Sequence, residues 1–167
     1  MNNFEDMLSR ICSAELQSQQ NVIIDEIEDI VIYYPQRCEP VVPHVIRIMS
    51  SPIESIRARA FRIAPLIITE KPQTQSLLIE AYIDKLECSD LDVAWQALRF
   101  LPLYVNICVD IADKLISSAK RSISSREFGN ANNYEEAAMN VIAQVINGTS
   151  QNFDSTERPS GEDGGIN

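Results

Sequence analysis

Cysteine and histidine are the residue types in this chain that most readily supply metal ligands or nucleophiles. The four cysteines are at least 20 residues apart, so the sequence has no CxxC pair and no short metal-ligand spacing. They are Cys12, Cys38, Cys88 and Cys108. The single histidine, His44, stands in a short apolar segment, where a structural imidazole is favoured over a catalytic one. We therefore predict buried reduced thiols, no metal site and no cofactor.

Carboxylates are concentrated in one short run, Asp25-Glu26-Ile27-Glu28-Asp29. On a helix these side chains spread around an exposed face, and the run lacks the Glu-x-x-His pattern of di-metal bundles. A solvated face is the favoured interpretation. The sequence also has no GxSxG, HExxH, Walker or dinucleotide fingerprint, so it predicts a protein that is not an enzyme.

Two arginines form the most suggestive polar pattern, because Arg62 and Arg99 each stand three residues before a proline. Arginine holds carboxylates by bidentate hydrogen bonds, so arginines on one face could hold an acidic partner segment. The residues predicted to bind a partner on this basis are Arg59, Arg62, Trp95, Gln96, Arg99 and Tyr104. Two alternatives stay open: the arginines could pair with acids of neighbouring helices, and Trp95 could simply pack at a seam between repeats.

Apolar residues recur at helical spacing along nearly the whole chain, and β-branched residues do not alternate with polar ones as strands require. Ser51-Pro52-Ile53-Glu54 and Ser89-Asp90-Leu91-Asp92 are typical of helix starts, and Asn147-Gly148 is typical of a helix end. The predicted helices cover about 3–18, 22–34, 40–50, 52–69, 73–87, 90–105, 107–123 and 134–147. Eight helices make four antiparallel pairs.

An internal repeat supports this pairing. Residues 56–66 align without a gap with residues 93–103 at an offset of 37 residues. The identities are Ala60 with Ala97, Arg62 with Arg99, Pro65 with Pro102 and Leu66 with Leu103. A period near 40 with two helices per unit is typical of HEAT or armadillo repeats, whose units bury their apolar stripes by stacking. We predict an all-α stack of about four helix pairs, with an irregular α-helical bundle as the alternative.

Composition and charge limit the partners further. The formal net charge is -10, which disfavours tight binding to nucleic acid. The sequence has neither a long apolar run nor a signal peptide, so we expect a soluble intracellular protein with no membrane contact. Hydrophobic content drops after Gly148, which predicts a helical domain at 1–148 and a disordered tail at 149–167.

The stretch Ala97-Leu98-Arg99-Phe100-Leu101-Pro102-Leu103-Tyr104-Val105-Asn106-Ile107-Cys108 resembles the C-terminal HEAT-like repeats of Integrator complex subunit 1. That family has ALR, LP, a tyrosine and a cysteine in the corresponding helix. The resemblance covers mainly residues 80–147, and upstream only the style of the repeats is shared. Because the tail after Gly148 departs from the family, a fragment of a divergent member is expected.

The resemblance implies a scaffold subunit of a nuclear assembly bound to RNA polymerase II, which forms the 3′ ends of small nuclear RNAs and terminates other transcripts. The nuclease and phosphatase of that assembly are other subunits. We therefore expect a non-catalytic interaction scaffold in the nucleus, whose partners are other protein subunits. The alternative is a HEAT-like adaptor that recognises peptide segments in vesicle or nuclear transport.

Overall fold

The computed structural model describes residues 3–13, 19–126 and 132–154, and in the last range the side chains of residues 135–148. Within these ranges the chain forms nine α-helices and no strand. They are α1 (Phe4–Ser13), α2 (Gln20–Tyr33), α3 (Val42–Ile48), α4 (Glu54–Glu70), α5 (Gln75–Leu86), α6 (Leu91–Arg99), α7 (Leu101–Ile107), α8 (Ala112–Ser124) and α9 (Asn132–Asp154). Short 3₁₀ helices at Pro35–Arg37, Glu39–Val41, Pro72–Thr74 and Val109–Ile111 connect several of them.

The helices pack as four successive pairs. Helix α1 packs on α2, α3 on α4, α5 on α6, and α8 on α9, while α7 continues the third pair. The second helices then stack in the order α2, α4, α6 with α7, and α9, and the first helices α3, α5 and α8 stack behind them. The predicted all-α helical repeat stack is therefore confirmed.

The third pair differs from the sequence prediction, because the helix expected at 90–105 is two helices. Helix α6 ends at Arg99 and α7 begins at Leu101, with Pro102 in its first turn. A proline is favourable there, since its missing N–H would have no helical acceptor in a first turn. The helices expected from 40 and from 107 begin later, because 3₁₀ turns at Glu39–Val41 and Val109–Ile111 precede them.

Helix ends also differ from the predicted signals. Asp90, not Ser89, is the N-cap of α6, and its carboxylate accepts hydrogen bonds from the backbone N–H groups of Asp92 and Val93. Helix α9 continues through Gly148 to Asp154, so Asn147-Gly148 does not end it. A single helical glycine costs only about 1 kcal/mol, which neighbouring turns can offset. The tail at 149–167 stays a prediction, and residues 155–167 lie outside the described residues.

The core runs continuously through the stack, and it includes the small residues of the aligned repeat. Ala60 and Ala97 are both fully buried, as the repeat alignment predicted. Between them the rings of Tyr82 and Tyr104 are stacked, with their centroids 3.7 Å apart and their planes 3° from parallel. The Tyr104 hydroxyl donates to the backbone oxygen of Phe61 at 2.9 Å. This pair joins the third helix pair to the second.

Candidate functional site

Three of the residues predicted to bind a partner line one open groove between the start of α4 and the end of α6. They are Arg62, Gln96 and Arg99. The groove, here called the α4–α6 groove, has a volume of about 720 Å³. Its other lining residues are Ile53, Glu54, Ser55, Ala58 and Phe100. The two arginines that the repeat alignment paired therefore line the same groove.

Gln96 belongs to the floor of this groove and not to its outer rim. It is only 7% exposed, whereas the sequence pattern placed it outward. Its side-chain oxygen accepts from Arg57 Nε at 2.8 Å, and its Nε2 donates to the backbone oxygen of Glu54 at 2.8 Å. Arg57 also donates to the backbone oxygen of Ser51 at 2.9 Å. Gln96 is buried because these tertiary hydrogen bonds satisfy its amide.

Positive charge collects at the groove. Arg62 and Arg99 are exposed, and neither forms an ion pair with any described residue. The guanidinium of Arg62 lies 6.0 Å from the centroid of the Phe100 ring. The buried Arg57 has the neutral partners described above, and it too lacks a carboxylate among the described side chains. Two arginines, Arg62 and Arg99, therefore line the groove together with a single carboxylate, that of Glu54.

Arg59 has a different role, because two acids of α2 hold it. Its guanidinium lies 2.5 Å from Asp25 and 2.7 and 2.8 Å from Glu28, and the hydrogen bonds to Glu28 raise its pKa most. Nearby, Arg10 and Glu26 are joined at 2.6 Å. Much of the acidic run in α2 therefore forms inter-helix ion pairs. Arg59 therefore pairs with acids of a neighbouring helix, which was the alternative to partner binding.

The two aromatic candidates lie mainly inside the protein. Tyr104 is fully buried in the stack with Tyr82, so the expectation of a partner contact is wrong for its side chain. Burial raises the pKa of both hydroxyls well above the usual value. Trp95 is half-buried and packs against the core.

A second groove, which the sequence interpretation missed, lies between α2 and α4. It is here called the α2–α4 groove and has a volume of about 190 Å³. Val31 and Ile63 are buried in it, while Ile32 is 64% and Leu66 50% exposed. Arg62 lines this groove as well as the first. The available signal was that the apolar runs at 30–34 and 64–68 are wider than the stripe that a single helix buries.

Cys12 Sγ lies 3.8 Å from His44 Nε2, but the four cysteines and His44 do not come together at one site among the described residues. Cys38 and Cys108 are fully buried, which raises the pKa of both thiols, that of Cys108 to about 11. Cys12 is exposed and Cys88 is half-buried, so the prediction of buried thiols is wrong for these two. His44 Nδ1 lies 2.5 Å from Arg47 Nη2, and since arginine only donates, this nitrogen accepts. Burial lowers the His44 pKa.

Within the part of the chain that the structure describes, no three Cys, His, Asp or Glu side chains are grouped so that they could hold a metal ion. None of the described helices combines the length and the apolar character that crossing a membrane requires. Together, the stacked pairs and the open grooves along their second helices define an α-helical repeat protein of the interaction type.

The family model described as Integrator complex subunit 1, R4 domain, matches residues 8–109, which is more than half of the chain. The chain belongs to this family. The match confirms the resemblance seen at residues 97–108 and extends it upstream through the first two helix pairs. It ends before α8, so residues 110–147 of the expected resemblance fall outside it. No curated protein matches the sequence.

Proposed function

We propose that this chain is a non-catalytic scaffold module of the nuclear Integrator complex, acting in small nuclear RNA 3′-end formation and in termination by RNA polymerase II. The family match over residues 8–109 carries this proposal. The module acts by holding other protein subunits in position, so it needs surfaces and rigidity but no reactive groups.

The links between successive repeats support a rigid platform. Arg59 ties α4 to α2, the Arg57–Gln96 bond ties α4 to α6, and Tyr104 ties α7 to α4. Each link joins neighbouring repeats. The two buried ones, made by Arg57 and Tyr104, are costly to break, about 1 to 3 kcal/mol for each unsatisfied group. A partner that docks across two repeats therefore meets a surface whose geometry is already set, which lowers the entropic cost of binding.

Affinity purification of the tagged chain from nuclear extract tests this function. We expect Integrator subunits to be enriched, and depletion of the protein to leave small nuclear RNA transcripts extended beyond their normal 3′ ends. Purified protein should show no nuclease or phosphatase activity. Enrichment of unrelated proteins, together with normal transcript ends after depletion, would contradict the proposal.

A second candidate function is suggested by the grooves along α2, α4 and α6, whose shape would also suit a HEAT-like adaptor for peptide segments in vesicle or nuclear transport. The same purification separates the two functions. Coat or cargo proteins in place of RNA-processing subunits would favour the adaptor. Either protein would bind nucleic acid weakly and with steep salt dependence, given the net charge of -10.

A further inference from the structure

We propose that the second-helix face, defined as the α2–α4 and α4–α6 grooves together, binds a short acidic segment of a partner protein that also carries an apolar anchor. This inference rests on the proposed scaffold function, because it specifies the chemistry of a subunit that the scaffold holds. The two grooves share Arg62, so one extended segment can occupy both.

Charge indicates the acidic part of the segment. Arg62 and Arg99 have no carboxylate within ion-pair distance among the described residues, although acids outnumber bases by 24 to 14 in the whole chain. By contrast, Arg59, one helical turn from Arg62, is held by two acids. The buried charge of Arg57 lies beside the groove floor and strengthens the attraction for an anion. Carboxylates on a partner would supply the bidentate partners that Arg62 and Arg99 lack.

The α2–α4 groove indicates the apolar part. Its exposed apolar wall is formed by Ile32 and Leu66, with the ion pair of Glu28 and Arg59 also lining it. Its volume of about 190 Å³ is on the scale of one large side chain. Burying a leucine or phenylalanine there would remove apolar surface of both partners from water and so stabilise the complex. A phosphate backbone offers no such apolar anchor. A protein segment therefore fits better than RNA.

The spacing of the two features follows from the stack. Neighbouring packed helices lie about 8 to 10 Å apart. An extended chain advances about 3.3 Å per residue. The acidic residues of the partner should therefore lie about three positions from the apolar anchor.

Selection from a library of short random peptides displayed on phage tests this inference with the purified full chain. We expect enriched peptides to carry Asp or Glu about three residues from Leu, Ile or Phe. A synthetic copy of the most enriched peptide then serves as the probe for affinity. The double change Arg62→Glu and Arg99→Glu should weaken its binding tenfold or more, about 1.4 kcal/mol.

Matched variants separate docking from general effects. Lys114→Glu with Lys120→Glu makes the same charge change on exposed positions of α8, and it should leave peptide affinity within about twofold. Leu66→Asp should weaken binding about tenfold, whereas Leu77→Asp, at a site 58% exposed on α5, should not. If the double arginine-to-glutamate protein melts early, Arg62→Gln with Arg99→Gln replaces it.

Several results would overturn the inference: no enrichment, enriched peptides without acids, equal loss in the lysine control, or tighter binding of a uridine oligonucleotide than of the selected peptide through the same arginines. The selection uses purified protein, so its outcome is independent of Integrator membership. A chain that selects acidic, apolar peptides but purifies without Integrator subunits would keep this inference and refute the proposed function. A chain that purifies with Integrator subunits but selects no acidic, apolar peptides would refute only the inference.

Discussion

Helix α4 and the α6–α7 pair carry the same sequence pattern but have different backbones. Both contain the aligned alanine, arginine and proline of the repeat. Helix α4 is continuous through its internal Pro65, whereas the chain breaks at Phe100 before Pro102. Pro65 has no N–H for the carbonyl of Phe61, four residues earlier, and Tyr104 supplies that missing donor.

The α6–α7 break distributes its hydrogen bonds differently. The carbonyl of Ala97 accepts the N–H of Phe100 at 3.0 Å in a tight turn, and it also accepts the Tyr82 hydroxyl at 2.7 Å. The Ala97 carbonyl therefore accepts from two donors. The Phe61 carbonyl in α4, which lacks its helical donor, accepts from the Tyr104 hydroxyl. Tyr104 therefore satisfies a carbonyl that an internal proline leaves without a helical donor, whereas Pro102 lies in a first turn, where its missing N–H has no helical acceptor.

The largest expected effects come from filling the two alanine positions. Ala60→Phe and Ala97→Phe should each destabilise the fold by about 1 to 3 kcal/mol through overpacking. The destabilisation by Ala60→Phe should lie at the upper end of this range. Helix α4 is continuous there and cannot shift as readily as the chain beside the Phe100 break. Urea unfolding measures both, with the exposed Ala143→Phe in α9 as a control that should change stability by less than about 0.5 kcal/mol. Unchanged stability in both variants would mean that these positions are not a packed seam.

Removing the tyrosine hydroxyls tests the unequal donors directly. Tyr104→Phe leaves the Phe61 carbonyl unsatisfied in the core and should cost about 2 kcal/mol. Tyr82→Phe should cost less, about 1 kcal/mol, because Ala97 keeps the Phe100 N–H. The midpoints of urea unfolding measure both costs. The control Tyr33→Phe, at a site 70% exposed, should leave the midpoint unchanged. Equal costs for the two buried tyrosines would refute the difference between their acceptors.

The two prolines should respond with opposite signs. Pro65→Ala removes a helix-interior penalty of about 3 kcal/mol. It loses about 1.6 kcal/mol of buried methylenes and about 0.5 kcal/mol of restriction on the unfolded chain, so stability should rise by about 1 kcal/mol. Pro102→Ala should lower stability by about 0.5 kcal/mol, since proline suits a first helical turn and restricts the unfolded chain. Thermal melting of the two variants side by side checks the signs. A destabilised Pro65→Ala protein would show that the ring's packing outweighs the backbone term.

The smallest expected effect is a dependence on alkaline pH. Burial raises the pKa of Tyr82 and Tyr104, so above about pH 10 the unfolded chain releases protons that the folded chain retains. The contribution of the two tyrosines should therefore be complete below about pH 10 and be lost as the pH rises further. Cys108, with its pKa raised to about 11, adds a loss that begins nearer pH 9. Tyr104→Phe should flatten the fall in melting temperature above about pH 10.

The residues that sequence analysis placed correctly are those whose positions follow from helical period alone. Ala60 and Ala97 are buried and Arg62 and Arg99 are exposed, because one face of each helix packs against the stack. The family followed from a single stretch of residues around Pro102, since several of its positions match in order.

The residues misplaced by sequence analysis depend on tertiary hydrogen bonds. Gln96 and Tyr104 are polar types at positions that look suited to a surface, yet partners from other helices hold both inside. From Pro65 the sequence predicts that the Phe61 carbonyl lacks its helical donor. It does not predict that the distant Tyr104 side chain supplies one. The α2–α4 groove was missed for a related reason, because its walls come from two different repeats.

The hydrogen bonds that link neighbouring repeats join residues separated by only a short distance in sequence. Among side-chain hydrogen bonds of the described residues, the longest joins Tyr104 to Phe61 across 43 positions, about the length of one repeat. Closing loops of similar size costs similar entropy at each seam, so folding can start at more than one place and spread to its neighbours. Such local connectivity favours a rapid search for the native state. During synthesis, each repeat can dock as soon as the next one has left the ribosome.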